Sequence, residues 1–194
     1  MKVCGLTGGV GMGKSTVAET LRARSVPVVD TDELARQLVQ PAEPALAEIQ
    51  NIFGKDIIAS DGRLRRDELA RMVFSDPAAR RKLEAVLHPR IRQGWLAQIE
   101  VWRNESHPLA VVVIPLLFET QAESLFDKVL CVACSPAAQS QRLAVRGWDA
   151  DQIQRRIAAQ LPVEQKIARS HFVIWTEGLL EVQHWQVGQI LKKL

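Results

Sequence analysis

Gly8-Gly9-Val10-Gly11-Met12-Gly13-Lys14-Ser15 is the stretch on which the reading of this chain turns. A glycine, four residues, and then Gly13-Lys14-Ser15 is the spacing of a phosphate-binding loop, and its context fits. The apolar run Lys2 to Thr7 before it reads as a short buried strand, and a helical pattern from Lys14 to about Arg24 follows. The glycines open backbone angles closed to other residues. The turn can then aim successive N–H groups inward at a polyanion, and the helix N-terminus adds its partial positive charge. Gly9, Val10, Gly11, Met12, Gly13, Lys14, Ser15 and Thr16 are therefore the candidate nucleotide-binding residues. Lys14 is expected to bridge the outer phosphates, and Ser15 to offer its hydroxyl to Mg²⁺.

Outward from the loop, strands alternate with helices. Val26 to Asp30 reads as a second strand, Leu109 to Ile114 as a third, Lys128 to Ala133 as a fourth and Phe172 to Trp175 as a fifth. Such alternation predicts an α/β fold with a parallel sheet covered on both faces. The interval from Asp30 to Leu109 is far longer than the dozen or so residues a parallel crossover needs. Its pattern is helical: Asp32 to about Gln40, Ala45 to Phe53, Arg65 to Phe74, Pro77 to Leu87 and Pro89 to about Glu105. Ser75 or Asp76 is expected to cap the helix opened by Pro77, and His88-Pro89 to divide the last two helices. This surplus is expected to form a subdomain housing the acceptor of a nucleotide-type kinase. After the fourth strand, Ser135-Pro136 opens a helix to Arg146, Gly147 breaks it, and Asp149 caps another to Gln160.

Asp30-Thr31-Asp32 falls at the carboxyl end of the second predicted strand, the end at which open parallel sheets bind ligands. A carboxylate there can take a proton from an attacking hydroxyl or hold Mg²⁺ through water. It can equally be that Asp32, or Thr31, caps the next helix. Arg142 and Arg146 stand four apart, on one face of a predicted helix, with Arg155 and Arg156 on the next. They read either as a solvated basic face or as a lid closing over transferring phosphates. His88 at a helix boundary reads as a capping or packing residue.

Composition narrows the alternatives. Of the 194 residues 47% are hydrophobic and 24% charged, ordinary for a globular chain, and the net charge of +3 is spread rather than clustered. That suits a small anionic ligand and not a nucleic acid. No apolar run of about 18 residues predicts a membrane span, and no signal peptide is visible, so a cytoplasmic location is expected. Cys131 and Cys134 have metal-site spacing but lie in a buried strand pattern with no second Cys/His pair nearby; they read as small core residues. The only asparagines are Asn51 and Asn104, so the guanine-specifying Asn-Lys-x-Asp of GTPase switches is absent.

The residues resemble dephospho-coenzyme A kinases nearly end to end. The resemblance is carried by Leu6 to Ser15, Val29-Asp-Thr-Asp-Glu-Leu-Ala-Arg36, Phe53-Gly54, Asp61 to Arg66, Leu87-His-Pro-Arg-Ile91, Pro115-Leu-Leu-Phe-Glu119, Gln141-Arg-Leu143 and Arg156 to Gln160. It implies a P-loop NTPase fold with a five-stranded parallel sheet in the order 2-3-1-4-5, a nucleotide core over 1–35, 108–134 and 170–194, a helical acceptor-binding subdomain over about 36–107 and a helical lid over about 135–165. It implies ATP and Mg²⁺, with dephospho-coenzyme A as acceptor and no obligatory protein partner. It implies catalytic roles for Lys14, Asp32 and Arg142, with Arg146 beside the nucleotide, and Ser15 and Asp32 near the metal. Thr7, Asp32, Arg36, His88, Leu116, Leu117 and Gln160 fall at positions that look like acceptor-side contacts. The family often has Asp-Asn-x-Gly after the last strand; here the stretch is Trp175-Thr-Glu-Gly178.

Overall fold

The computed structural model describes the backbone of residues 1–194 and every side chain except those of Phe74 and Ser75. In chain order the strands are β1 (Lys2–Gly8), β2 (Val28–Asp30), β3 (Leu109–Val113), β4 (Lys128–Ala133) and β5 (Phe172–Trp175). The helices are α1 (Lys14–Arg22), α2 (Thr31–Leu38), α3 (Pro44–Phe53), α4 (Arg66–Ser75), α5 (Pro77–Asn104), α6 (Pro136–Val145), α7 (Ala150–Ala158), α8 (Val163–Ala168) and α9 (Leu180–Leu191). No helix among the described residues is long and apolar enough to cross a membrane. The chain divides into two compact units, Met1–Val29 with Val101–Leu194, and Asp30–Glu100.

The first unit is built on one five-stranded sheet in the order β2-β3-β1-β4-β5, the order implied by the family resemblance. β1 lies parallel between β3 and β4, with Cys4 opposite both Val111 and Lys128. These strands are almost wholly buried. That is why they read as continuous apolar runs rather than alternating ones. Leu6, Val111, Val113, Leu130, Val132 and Ile174 form the sheet's part of the core, against Val17, Ala18 and Leu21 of α1 and Val187 and Ile190 of α9. Each large side chain buried there contributes about 1.5–3 kcal/mol. β2 starts two residues later than its apolar pattern suggests. Ser25 turns left-handed at φ 59 and the Val26 amide donates back to Leu21 O, which leaves Pro27 O as the first carbonyl paired to β3, through Val111 N.

The second unit is helical. Val39, Leu46, Ile49, Ile57, Leu69 and Val86 form its core. The expected division at His88-Pro89 is not found: α5 runs unbroken through both residues. Proline inside a helix removes one N–H and clashes with the turn before it, costing about 3 kcal/mol or more. Burial of Val86, Trp95 and Ile99 along α5 outweighs that cost. Arg90 reinforces the same turn: Nη1 donates to Val86 O at 2.7 Å and Nη2 to Glu48 Oε2 at 2.6 Å. Asp76 is found as the cap before Pro77, accepting from Ala78 N at 2.7 Å. The alternative, Ser75, lies outside the described side chains.

Candidate active site

The phosphate loop leaves β1 at Gly8 and enters α1 at Gly13, which sits left-handed at φ 93. The residue before α1 is a glycine, so no side chain caps the helix from that position. Such an uncapped N-terminus at a glycine turn is a ready anion site. Two glycines are demanded by packing as well as by backbone angle. A Cβ on Gly8 would stand 2.3 Å from Val132 O, and one on Gly11 2.8 Å from Leu143 Cγ. Lys14 Nζ donates to Gly8 O and Gly9 O, both at 2.9 Å, so its ammonium lies against the start of the loop. Ser15 and Thr16 follow in the first turn of α1, with Ser15 exposed.

Three side chains outside the loop hold it. Val10 N donates to Gln160 Oε1 at 2.9 Å, and Val10 O accepts from Gln139 Nε2 at 2.8 Å. Gln160, named above among the acceptor-side positions, hydrogen-bonds the loop. Thr176, just after β5, donates its hydroxyl to Met12 O at 2.8 Å. Arg142 is tied to the same residue: Nη1 donates to Thr176 Oγ1 at 2.9 Å and Nη2 to Thr176 O at 2.5 Å. An open cleft of about 540 Å³ adjoins them, lined by Gly11, Gly13, Thr16, Arg142, Arg146 and Gln183 among others. Lys14, Arg142 and Arg146 therefore belong to one unit, with the two arginines on a shared wall.

The remaining candidates divide. Thr7 is fully buried and donates to Pro115 O at 3.1 Å. Leu117 is buried too, packed so closely over β1 that a Cβ on Gly5 would come within 2.5 Å of its Cδ1, while Leu116 is half-buried. Asp32, Arg36 and His88 stand in the helical unit, all three exposed. The helix cap beside Asp32 is neither Asp32 nor Thr31 but Asp30, whose Oδ1 accepts from Asp32 N at 2.8 Å. Asp30 alone retains the extended backbone, φ −108, that a capping residue needs. Arg36 Nε donates to Asp32 O at 3.2 Å.

Sequence reasoning passed over an ion pair beneath the site. Lys166 is fully buried; its Nζ lies 2.8 Å from Glu119 Oε1 and donates to Pro115 O at 2.9 Å. Glu119 also accepts from Leu161 N at 2.8 Å. Burial alone would push the Glu119 carboxyl up. The hydrogen bonds from Lys166 and Leu161, with the lysine's charge, outweigh it and hold the carboxyl below its ordinary value. A lysine in the short helix after Pro162 gives no periodic signal, because its partner sits 47 positions away in the chain. Gln183 was missed as well, whereas Thr176 lies in the Trp175–Gly178 stretch that the sequence had already singled out. Gln183 shares a buried stripe of α9 with Val187 and Ile190, and a polar residue in that stripe is the signal that marks it. The three cysteines are free and buried, and burial pushes Cys4 and Cys131 up to about 11, which fits inert core thiols.

Comparison with known proteins agrees with this geometry. The dephospho-CoA kinase family profile (CoaE) matches residues 2–181. The chain is 44% identical to the dephospho-CoA kinase of Anaeromyxobacter dehalogenans, over 100% of this chain and 92% of that protein. It is 42% identical to that of Bdellovibrio bacteriovorus, over 100% and 96%. The crystal structure of TT1252 from Thermus thermophilus superposes with a TM-score of 0.84 at 37% identity, covering 100% of this chain and 97% of that one. The dephospho-CoA kinase of Campylobacter jejuni (TM-score 0.72, 21% identity, 98% and 96% covered) shares the fold. So does a shikimate kinase from Bacteroides thetaiotaomicron (TM-score 0.51, 15% identity, 98% of each chain). With the loop, the strand order and a family match over nearly its whole length, this chain is a member of the dephospho-CoA kinase family, on a P-loop kinase fold.

Proposed function

We propose that the chain transfers the γ-phosphoryl group of ATP to the ribose 3′-hydroxyl of dephospho-coenzyme A, giving coenzyme A and ADP. The observation that carries this is the uncapped N-terminus of α1, reached through left-handed Gly13, with Lys14 beside it and Arg142 and Arg146 on the wall of the adjoining cleft. Amides of Gly9 to Thr16 receive the phosphates. Lys14 exchanges its bonds to Gly8 O and Gly9 O for phosphate oxygens. Arg142 leaves Thr176 to meet the negative charge spread over the transferring group. The P–O bond to ADP breaks, a P–O bond to the 3′-oxygen forms, and the hydroxyl proton passes to Asp32, which aims the acceptor and takes its proton. Asp30 supports that assignment by performing the capping for which Asp32 would otherwise be needed.

Among the described residues no cluster of His, Cys, Asp or Glu side chains is ready to hold a metal alone. That suits Mg²⁺, which keeps several waters and arrives bound to phosphate oxygens. In this reading Ser15, exposed in the first turn of α1, and Asp32 would be the residues that hold the ion, the first through its hydroxyl and the second through water. When bound, Mg²⁺ neutralises charge on the outer phosphates. Arg36 and His88 belong to the acceptor side in this reading, with Thr7, Leu116, Leu117 and Gln160. Residues of about 36–107 form the acceptor-binding part and about 135–165 the lid, and a cytoplasmic chain needs no protein partner to act.

The test is ADP formation by the purified chain with Mg-ATP and one acceptor at a time: dephospho-coenzyme A, AMP or shikimate. Turnover with dephospho-coenzyme A alone, and a product bearing a 3′-phosphate, is expected. Turnover with another acceptor in its place would replace this reading.

A further inference from the structure

The cleft beside the phosphate loop is lined by a side chain that carries an unpartnered polar atom. Gln183 is 5% exposed, yet it lines that cleft. Its Nε2 is buried and has no hydrogen-bond partner among the described residues. It sits on α9 in the stripe with Val187 and Ile190, which are packed into the core. At such a position an apolar side chain satisfies every requirement of folding. A buried N–H without a partner costs more than a made hydrogen bond gains, so folding alone gives no reason for an amide here. Because Gln183 lines the cleft, a ligand bound there can supply the partner that Nε2 lacks.

The rest of the lining says what kind of partner fits. Gly11, Gly13 and Thr16 mark the end that receives phosphates. The rest of the wall includes Arg146, Leu180 and Gly178, that is, a guanidinium plane, an apolar side chain and bare backbone. Guanidinium planes and aliphatic carbons suit the faces of an aromatic ring. A flat heterocycle between such walls presents its edge to whatever lies at the end, and a primary amide offers a donor beside an acceptor. Adenine is its complement, because on either edge carrying N6 a donor sits next to a ring-nitrogen acceptor. Paired glutamine and adenine are a recurring bidentate match. On the N7 edge a 6-oxo purine presents two acceptors, O6 and N7, so one of the two hydrogen bonds is lost there.

We propose that Gln183 reads the base of the bound nucleotide and selects a 6-amino purine over a 6-oxo purine. This rests on the reading that the cleft takes a nucleoside triphosphate with its phosphates at α1. Gln183 is a specificity residue in this proposal and takes no part in the transfer itself.

The experiment measures binding without any acceptor, so that it stands apart from the identity of the acceptor. ATP and ITP, which differ at position 6 of the base, are titrated calorimetrically into the wild-type chain and into Gln183→Met. The wild type is expected to favour ATP by about tenfold or more, the discrimination of one good bidentate pair. Gln183→Met should lose most of that preference by weakening ATP while leaving ITP nearly unchanged. It should also melt higher without nucleotide, because the unpaired amide is gone. If Gln183→Met does not fold, Gln183→Glu, with the same shape and no donor, carries the same comparison. An ATP-to-ITP ratio that is equal in wild type and variant overturns the proposal, as does a wild type with no preference. Wild-type turnover with dephospho-coenzyme A, measured separately, shows whether the kinase reading stands whichever way this result falls.

Discussion

The ammonium of Lys166, fully buried, lies 2.8 Å from Oε1 of Glu119, and the pair joins α8 to the segment that follows β3. Breaking a buried pair by removing one partner costs about 3–5 kcal/mol, because the other charge is stranded. The two ends are unequal here, with side-chain exposures of 0% for Lys166 and 21% for Glu119. Glu119→Gln strands an ammonium that water cannot reach. Lys166→Met leaves a carboxylate that water can still approach. Glu119→Gln should therefore destabilise by about 3 kcal/mol and Lys166→Met by clearly less, read from urea midpoints. Equal losses would mean that water reaches Lys166.

The same pair sets a pH dependence. Glu119 is held below its ordinary value of 4.5 in the folded chain. Its contribution is then fully present above about 4.5 and is lost as the pH falls through the lower folded value. Melting temperature of the wild type should drop as pH falls from 5 toward 3. The drop should be smaller in Glu119→Gln, which has no carboxyl there to protonate.

Lys14→Ala removes the ammonium that reaches phosphate, at the expense of two hydrogen bonds to Gly8 O and Gly9 O. Turnover should fall by roughly 10²-fold or more, the scale of a lost charge-stabilising donor. Stability should fall by only about 1 kcal/mol, since those bonds are local and part-exposed. Near-normal turnover would remove the phosphate loop from the mechanism.

Asp30 and Asp32 separate capping from chemistry. Asp30→Ala deletes the acceptor for Asp32 N and should cost about 1 kcal/mol of stability. Asp32→Asn leaves that cap intact and should leave the melting temperature unchanged, while turnover falls by roughly 10²-fold or more. Full turnover in Asp32→Asn would show that another group takes the proton.

Arg142 cannot hold both Thr176 and a phosphate. Nucleotide binding should therefore change protection across α6 and α7. Hydrogen exchange over Pro136–Ala158 should slow with a non-hydrolysable ATP analogue, most in α7. Exchange indifferent to the analogue would argue that these helices are fixed.

Periodicity and short-range chemistry were enough to read the strands, because β1, β3 and β4 are buried on both faces and must be apolar throughout. The glycine loop was equally legible: Gly8, Gly11 and Gly13 all take positive φ, which glycine adopts at least cost. So were the caps at Ser135 and Asp149, where one side chain answers an amide three residues on. Where sequence reading fell short, distant contacts decided. Pro89 is a local stop signal, yet α5 passes through it because Val86, Trp95 and Ile99 gain more by burial than proline costs. Nothing local says that Asp30 rather than Asp32 caps α2, since that depends on which residue keeps the strand angle. Gln160 on Val10, Arg142 on Thr176 and Lys166 on Glu119 join residues 34 to 150 positions apart. Hydrogen bonds of that span leave no period in a sequence, because both partners are polar groups that water would satisfy equally well. Only the packed chain brings them within 3 Å of one another.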